Sequence, residues 1–155
     1  MAGDRTVTAA EVQARWRARQ APDGDLVLLG DGSLSVMELQ VYADLARWDW
    51  WEIVRAEQWT PANWLDVDVA LASCDQNGSR ALAGESSAHG SIGWVALTRL
   101  DGEDTLEWLA ISRHSNPFSS VELDDTTVTA TSTAGQIWRF PRAAPERVRI
   151  TGDPG

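Results

Sequence analysis

Leu65-Asp66-Val67-Asp68-Val69-Ala70-Leu71-Ala72-Ser73 is the stretch that decides the fold class. Leu65, Val67, Val69 and Leu71 alternate with Asp66, Asp68 and Ala70. A period of two is that of a half-buried β-strand, apolar on one face and polar on the other. Cys74 follows, and then Asp75-Gln76-Asn77-Gly78. Asn-Gly accepts the positive φ angles of a type I′ turn, so a tight hairpin is predicted, with Arg80 to Ala83 pairing back.

The same pattern extends outward on both sides. Downstream, residues 84–91 are small and polar and read as a flexible loop. Ile92–Leu100 and Thr105–Arg113 form two apolar strands about the turn Asp101-Gly102-Glu103-Asp104. Val121–Leu123, Thr127–Thr133, Ile137–Phe140 and Val148–Ile150 continue as a meander, with a frayed tail from Thr151. Upstream, Trp48–Arg55 is aromatic and β-branched, hence a strand. Residues 36–47 are ambiguous. Met37, Val41, Leu45 and Trp48 suit a helix, while the alternation of Met37, Leu39 and Val41 suits a strand. The turn Asp31-Gly32 just before favours the strand. Asp25–Gly30 is a further short strand. Near the N-terminus, Thr8-Ala9-Ala10-Glu11 is a capping-box pattern that opens a helix, ended by Pro22-Asp23-Gly24. Its apolar face holds only Val12 and Trp16, so a surface helix pinned by Trp16 is expected.

About nine strands with hairpin punctuation predict a mainly β fold, bordering on α+β. The expected architecture is an antiparallel meander forming a sandwich or a barrel-like sheet, with one N-terminal helix. The absence of a helical pattern over residues 65–155 argues against a parallel βαβ sheet. The chain is expected to form a single domain over residues 1–155. Its parts are a helical segment over 1–24, a β body over 25–150 and a tail over 151–155.

Composition narrows the chemistry. All 13 basic residues are Arg, against 23 acids, for a formal net charge of -10. An Arg-only basic set fits a GC-rich bacterial genome. Without Lys there is no Gly-x-x-x-x-Gly-Lys phosphate loop, no Schiff-base chemistry and no Ser-x-x-Lys nucleophile. The single Cys74 excludes an intrachain disulfide and a multi-Cys zinc site. No apolar run approaches the roughly 20 residues of a membrane span, and Met1 to Ala10 lacks the apolar core of a signal peptide. A cytoplasmic protein is the expectation. Residues 20–140 hold six Arg and 19 acids. An acidic body repels the phosphates of nucleic acid and of anionic lipid, so neither is expected as a partner. A protein with a basic surface is, and the oligomeric state is left open.

Three features are candidates for function. Trp48, Trp50, Trp51, Trp59 and Trp64 are five of nine Trp, gathered within one short stretch. They either build the core or form an aromatic binding face, since Trp and Arg dominate protein–protein hot spots. On a regular strand Trp48 and Trp50 share one face and Trp51 takes the other. Arg47 or Arg55 is expected to stack on this cluster. Acids lie in the same region: Asp49, Glu52, Glu57, Asp66 and Asp68. On one strand Asp66 and Asp68 share a face about 7 Å apart, a spacing that suits a solvated face, a divalent cation or glycoside chemistry. Cys74 with His89 and His114 lacks any nucleophile motif and fits a gap-filling Cys. No catalytic residue, metal site or cofactor is assigned.

In general character, a small, acidic, β-rich bacterial chain resembles the immunity proteins that neutralise a cognate toxin. That resemblance is one of type and implies carboxylates meeting a basic cleft. The expected function is therefore a protein-binding domain without chemistry of its own, acting through Asp49, Trp50, Trp51, Glu52, Asp66 and Asp68. The alternative is a small barrel, lined with Trp, that holds an apolar or cyclic small molecule as a carrier or a shape-driven cyclase.

Overall fold

The computed structural model describes residues 8–41, 48–55, 63–86, 92–113 and 115–151; over 36–41 and 48–55 the description is of the backbone. The chain opens with helix α1 (Ala9–Arg17). Thr8 caps it, its hydroxyl oxygen accepting from the Glu11 amide at 3.1 Å, and the buried side chains are Val12 and Trp16, as the pattern predicts. The strands follow as β1 (Gln20–Pro22), β2 (Leu26–Leu29), β3 (Leu34–Val41), β4 (Trp48–Arg55), β5 (Trp64–Asp66), β6 (Val69–Gln76) and β7 (Ser79–Glu85). Then come β8 (Gly93–Arg99), β9 (Thr105–Ser112), β10 (Phe118–Leu123), β11 (Thr127–Ser132), β12 (Ile137–Pro141) and β13 (Arg149–Thr151), with a 3₁₀ turn at Pro145–Arg147. The ambiguous segment after Asp31-Gly32 is a strand through Val41; residues 42–47 lie outside the described residues.

The strands make three antiparallel sheets. A seven-stranded sheet runs β4-β3-β2-β9-β8-β7-β6, a four-stranded sheet runs β10-β11-β12-β13, and β1 pairs with β5 in a ribbon. The two larger sheets pack face to face around one core. Val95, Leu97, Trp108 and Ala110 meet Phe118, Val128, Trp138 and Phe140. Where β10 crosses β6 and β7 the sheets come close, because the side chains there are Ala72, Cys74, Ala81 and Ala83. On the other face of the large sheet, Trp94, Ala96, Leu109 and Ile111 lie under Val12, Trp16, Ala21 and Val67 of the helix and ribbon. Covering both faces explains why β8 and β9 read as nearly continuous apolar runs rather than as alternating ones: away from the β8–β9 turn their side chains are buried on both faces.

The decisive stretch departs from its reading in one respect. Residues 65–73 are not one strand. β5 ends at Asp66, and Val67 turns into the core under α1 while its amide donates to the Arg19 carbonyl at 2.7 Å. A new strand, β6, starts at Val69. Its pairing slips between Ala70 and Ala72, leaving Leu71 as the extra residue of a bulge. A bulge inverts the alternation. Leu71 is therefore 45 % exposed, and Ala72 and Cys74 face the core instead. The hairpin that follows is as predicted, with positive φ at Asn77 (47°) and Gly78 (82°). The helix also ends earlier than Pro22, at Arg17, and the chain passes through a left-handed Arg19 (φ 55°) into β1.

Candidate functional site

Asp49, Trp50, Trp51 and Glu52 lie on β4, the edge strand of the seven-stranded sheet, hydrogen-bonded on one side to β3. Its Cα register sets Asp49 opposite Gln40, Trp50 opposite Leu39 and Glu52 opposite Glu38. Trp51 is the extra residue where the pairing slips, so the regular alternation expected over Trp48, Trp50 and Trp51 is interrupted there. Glu57, Trp59 and Arg47 lie outside the described residues.

Asp66 and Asp68 are both exposed, but they do not share a strand. Asp66 closes β5, opposite Gln20 of the ribbon, and Asp68 sits in the link before β6. The expected pair of carboxylates on one regular strand is therefore not formed. In the large sheet, β4 is one edge and β6 the other, with five strands between. Along that sheet the six residues fall into two groups, one on β4 and one beside β6.

Arg–Trp stacking occurs among the described side chains, while Arg47 and the side chain of Arg55 lie outside them. The Arg19 guanidinium lies 4.1 Å from the Trp16 ring centroid, and that of Arg15 4.7 Å from Trp64. Four Trp are consumed by packing: Trp16, Trp94, Trp108 and Trp138 are buried. Trp108 and Phe140 lie 5.0 Å apart and Phe118 and Trp138 5.2 Å apart, which fills the space between the sheets. Cys74 is half-buried against this core, as a gap-filling residue would be. His89 and His114 lie outside the described residues. Among the described residues, no group of three or more His, Cys, Asp or Glu could hold a metal ion, and no helix is long and apolar enough to cross a membrane.

Topology gathers acids that the sequence disperses. The β2–β3, β6–β7 and β8–β9 turns lie at one end of the large sheet. The β10–β11 turn joins them, because Arg142 donates both to the Asp124 carbonyl and to the Ser79 hydroxyl, each at 2.9 Å. The acids at this end are engaged locally. Arg80 forks onto Asp75 at 2.7 and 3.0 Å, and its hydrogen bond holds the Asp75 carboxyl below the usual range. Asp101 is lowered by the Thr105 hydroxyl at 2.6 Å and the Glu103 amide. Asp124 is lowered by the amides of Thr126 and Thr127, at 2.9 and 2.8 Å. These carboxylates build the turns that carry them.

A cleft of about 540 Å³ opens beside them. Leu29, Leu106, Trp108 and Pro145 contribute apolar surface, while Asp31, Glu107, Arg99 and Arg142 balance in charge. Gln13 closes one wall. β2 stops at Leu29, opposite Trp108, and the Gln13 amide takes the place of a strand partner for Leu106. It accepts from the Leu106 amide at 2.8 Å and donates to its carbonyl at 2.9 Å. Gly30 is required here, since a Cβ would strike the Leu106 carbonyl oxygen. No model of a protein family matches this chain, and a search of curated proteins finds no match either.

Proposed function

We propose that this chain is a protein-binding domain, of immunity-protein type, whose partner presents a basic surface and docks along β4. The observation that supports this reading most is the edge position of β4. Among the described residues, the strand that concentrates Trp50 and Trp51 between Asp49 and Glu52 is hydrogen-bonded to another strand on one side only, with β13 of the smaller sheet lying near it, in a chain of net charge -10. Carboxylates on such an edge speed encounter with a basic partner, and a Trp supplies the desolvated anchor. The slip at Trp51 interrupts the open ladder and discourages simple strand addition. Side chains, not a new β-ladder, then carry recognition. Asp66 and Asp68 form a second acidic patch that can extend the field but does not belong to the same strand.

The test is co-expression with the product of each flanking gene, followed by association kinetics at several salt concentrations. A complex is expected whose association rate falls with salt. Asp49→Asn combined with Glu52→Gln should lower that rate about tenfold or more, and Asp66→Asn with Asp68→Asn should lower it less. A complex whose rate ignores both salt and the β4 pair would overturn the assignment.

A further inference from the structure

From a different part of the molecule, we infer that the groove between the α1–β1 link and the β8–β9 turn is a binding site for an oxyanion, of the phosphate monoester class, carried on an apolar group. The groove encloses about 280 Å³ and is lined by Arg19, Arg80, Arg99, Leu82, Leu100 and Asp104, together with Gly102. Three of the chain's 13 Arg converge there. Two of them are held in place by their own carboxylates. Arg80 is fixed by the fork onto Asp75. Arg19 is fixed by its 2.6 Å pair with Asp104, by an Nη1 hydrogen bond to the Trp16 carbonyl at 3.0 Å and by stacking on the Trp16 ring. Each partner occupies part of a guanidinium and leaves further N–H donors, while the head is already ordered. Arg99 is uncommitted by comparison. Its side chain is 63 % exposed and its nearest acid, Glu107, is 4.0 Å away, beyond hydrogen-bond reach. A planar fork with free N–H groups suits phosphate and carboxylate oxygens.

Two further observations point to the same place. Arg19 and Asp104 both sit at positive φ, 55° and 54°. For Arg this is a strained conformation, and two such residues joined by an ion pair at the lip of a groove mark a geometry that the fold maintains at a cost. Leu100 is 45 % exposed and is one of two large apolar side chains so exposed among the described residues. It borders the Arg cluster and, with the half-buried Leu82, offers an apolar wall to the group that bears the anion. The three Arg are matched by Asp104, Asp75 and Glu107 at 2.6, 2.7 and 4.0 Å, so recognition rests on the guanidinium N–H donors left over rather than on a net positive field, and acids further than about 8 Å are screened.

Phenyl phosphate is the probe, titrated into the full chain while backbone amide shifts are followed by NMR. Saturable shifts at Leu82, Arg99, Leu100 and Gly102 are expected by about 10 mM. Arg99→Gln should weaken binding about tenfold, the loss of one charged hydrogen-bonding partner. Leu100→Ser should weaken phenyl phosphate but leave inorganic phosphate unchanged, a split that a merely structural role would not give. A blocked phosphotyrosine peptide that binds much tighter than phenyl phosphate assigns the anion to a partner's modified side chain. Equal affinity assigns it to a free small ester. Equal response to phenol, or no saturation with phenyl phosphate, overturns the site. Neither result touches the β4 reading, which is tested by complex formation.

Discussion

Trp138 shows how single residues hold this fold. Its ring packs edge-on against Phe118, and its indole N–H donates to the Gln136 side-chain oxygen at 3.2 Å. Gln136 is itself buried and is held by the turn, its amide donating to the Ser132 hydroxyl at 3.2 Å. Replacing Trp138 by Phe removes both packing volume and the donor, and leaves a buried carbonyl unpaired. We expect a loss of about 2–3 kcal/mol, read as a fall in the urea midpoint. Changing Gln136 to Met as well should restore part of it, because the orphaned oxygen is then gone. At this scale the sequence announced Trp-rich strands but not which Trp are buried. That depends on what covers each face of the sheet, which local spacing does not encode. Arg–Trp stacking follows from composition, and it is seen at Arg19 on Trp16 and at Arg15 on Trp64, a member of the cluster. Arg19 reaches Trp16 only because the chain turns left-handed at that residue.

Elements divide by the range of the contacts that set them. The β6–β7 hairpin was legible because Asn77 and Gly78 fix it alone. The β1–β5 ribbon was not, since two three-residue strands distant in sequence carry no periodicity. The break at Val67 and the bulge at Leu71 were equally hidden, because pairing partners impose both on a pattern that alternates well. Two glycines test this distinction. At Gly78 a Cβ meets nothing, so Gly78→Ala should cost only the left-handed backbone, about 1 kcal/mol. At Gly84 a Cβ would strike the Val69 carbonyl oxygen across the pair. Backbone cannot step aside there, and Gly84→Ala should cost about 3 kcal/mol or more. Chemical denaturation of the two variants side by side checks the order; a smaller loss at Gly84 would contradict the close approach of β6 and β7.

At the scale of the whole molecule, the antiparallel β class was legible and the layering was not. Nothing local says that β2 pairs with β9, and it is that pairing which joins the N-terminal meander to the rest and sets up two cores. Of the candidate site, the residue types on β4 were legible, but their separation from Asp66 and Asp68 was not, because nearness in sequence does not encode which edge of the sheet a strand takes. The acid-rich turns also make a prediction. Asp75, Asp101 and Asp124 are all held below the usual aspartate value of 3.8. A depressed carboxyl contributes stability that is present above its unfolded value and is lost as pH falls through the folded one. The urea midpoint should therefore be insensitive to these groups above about pH 4 and decline on further acidification. Asn at all three positions keeps the amide-accepting oxygens and should flatten that decline.

The Gln13 side chain has one more consequence, for motion. It serves Leu106 as a surrogate strand, yet it belongs to a nine-residue helix docked by little more than Val12 and Trp16. The Leu106 amide thus sits in a central strand but is shielded from solvent by a peripheral element. Its deuterium uptake should follow the lifting of α1 rather than the opening of the sheet. One amide in β9 would then be a clock for the helix, ticking faster than its neighbours whenever that layer loosens.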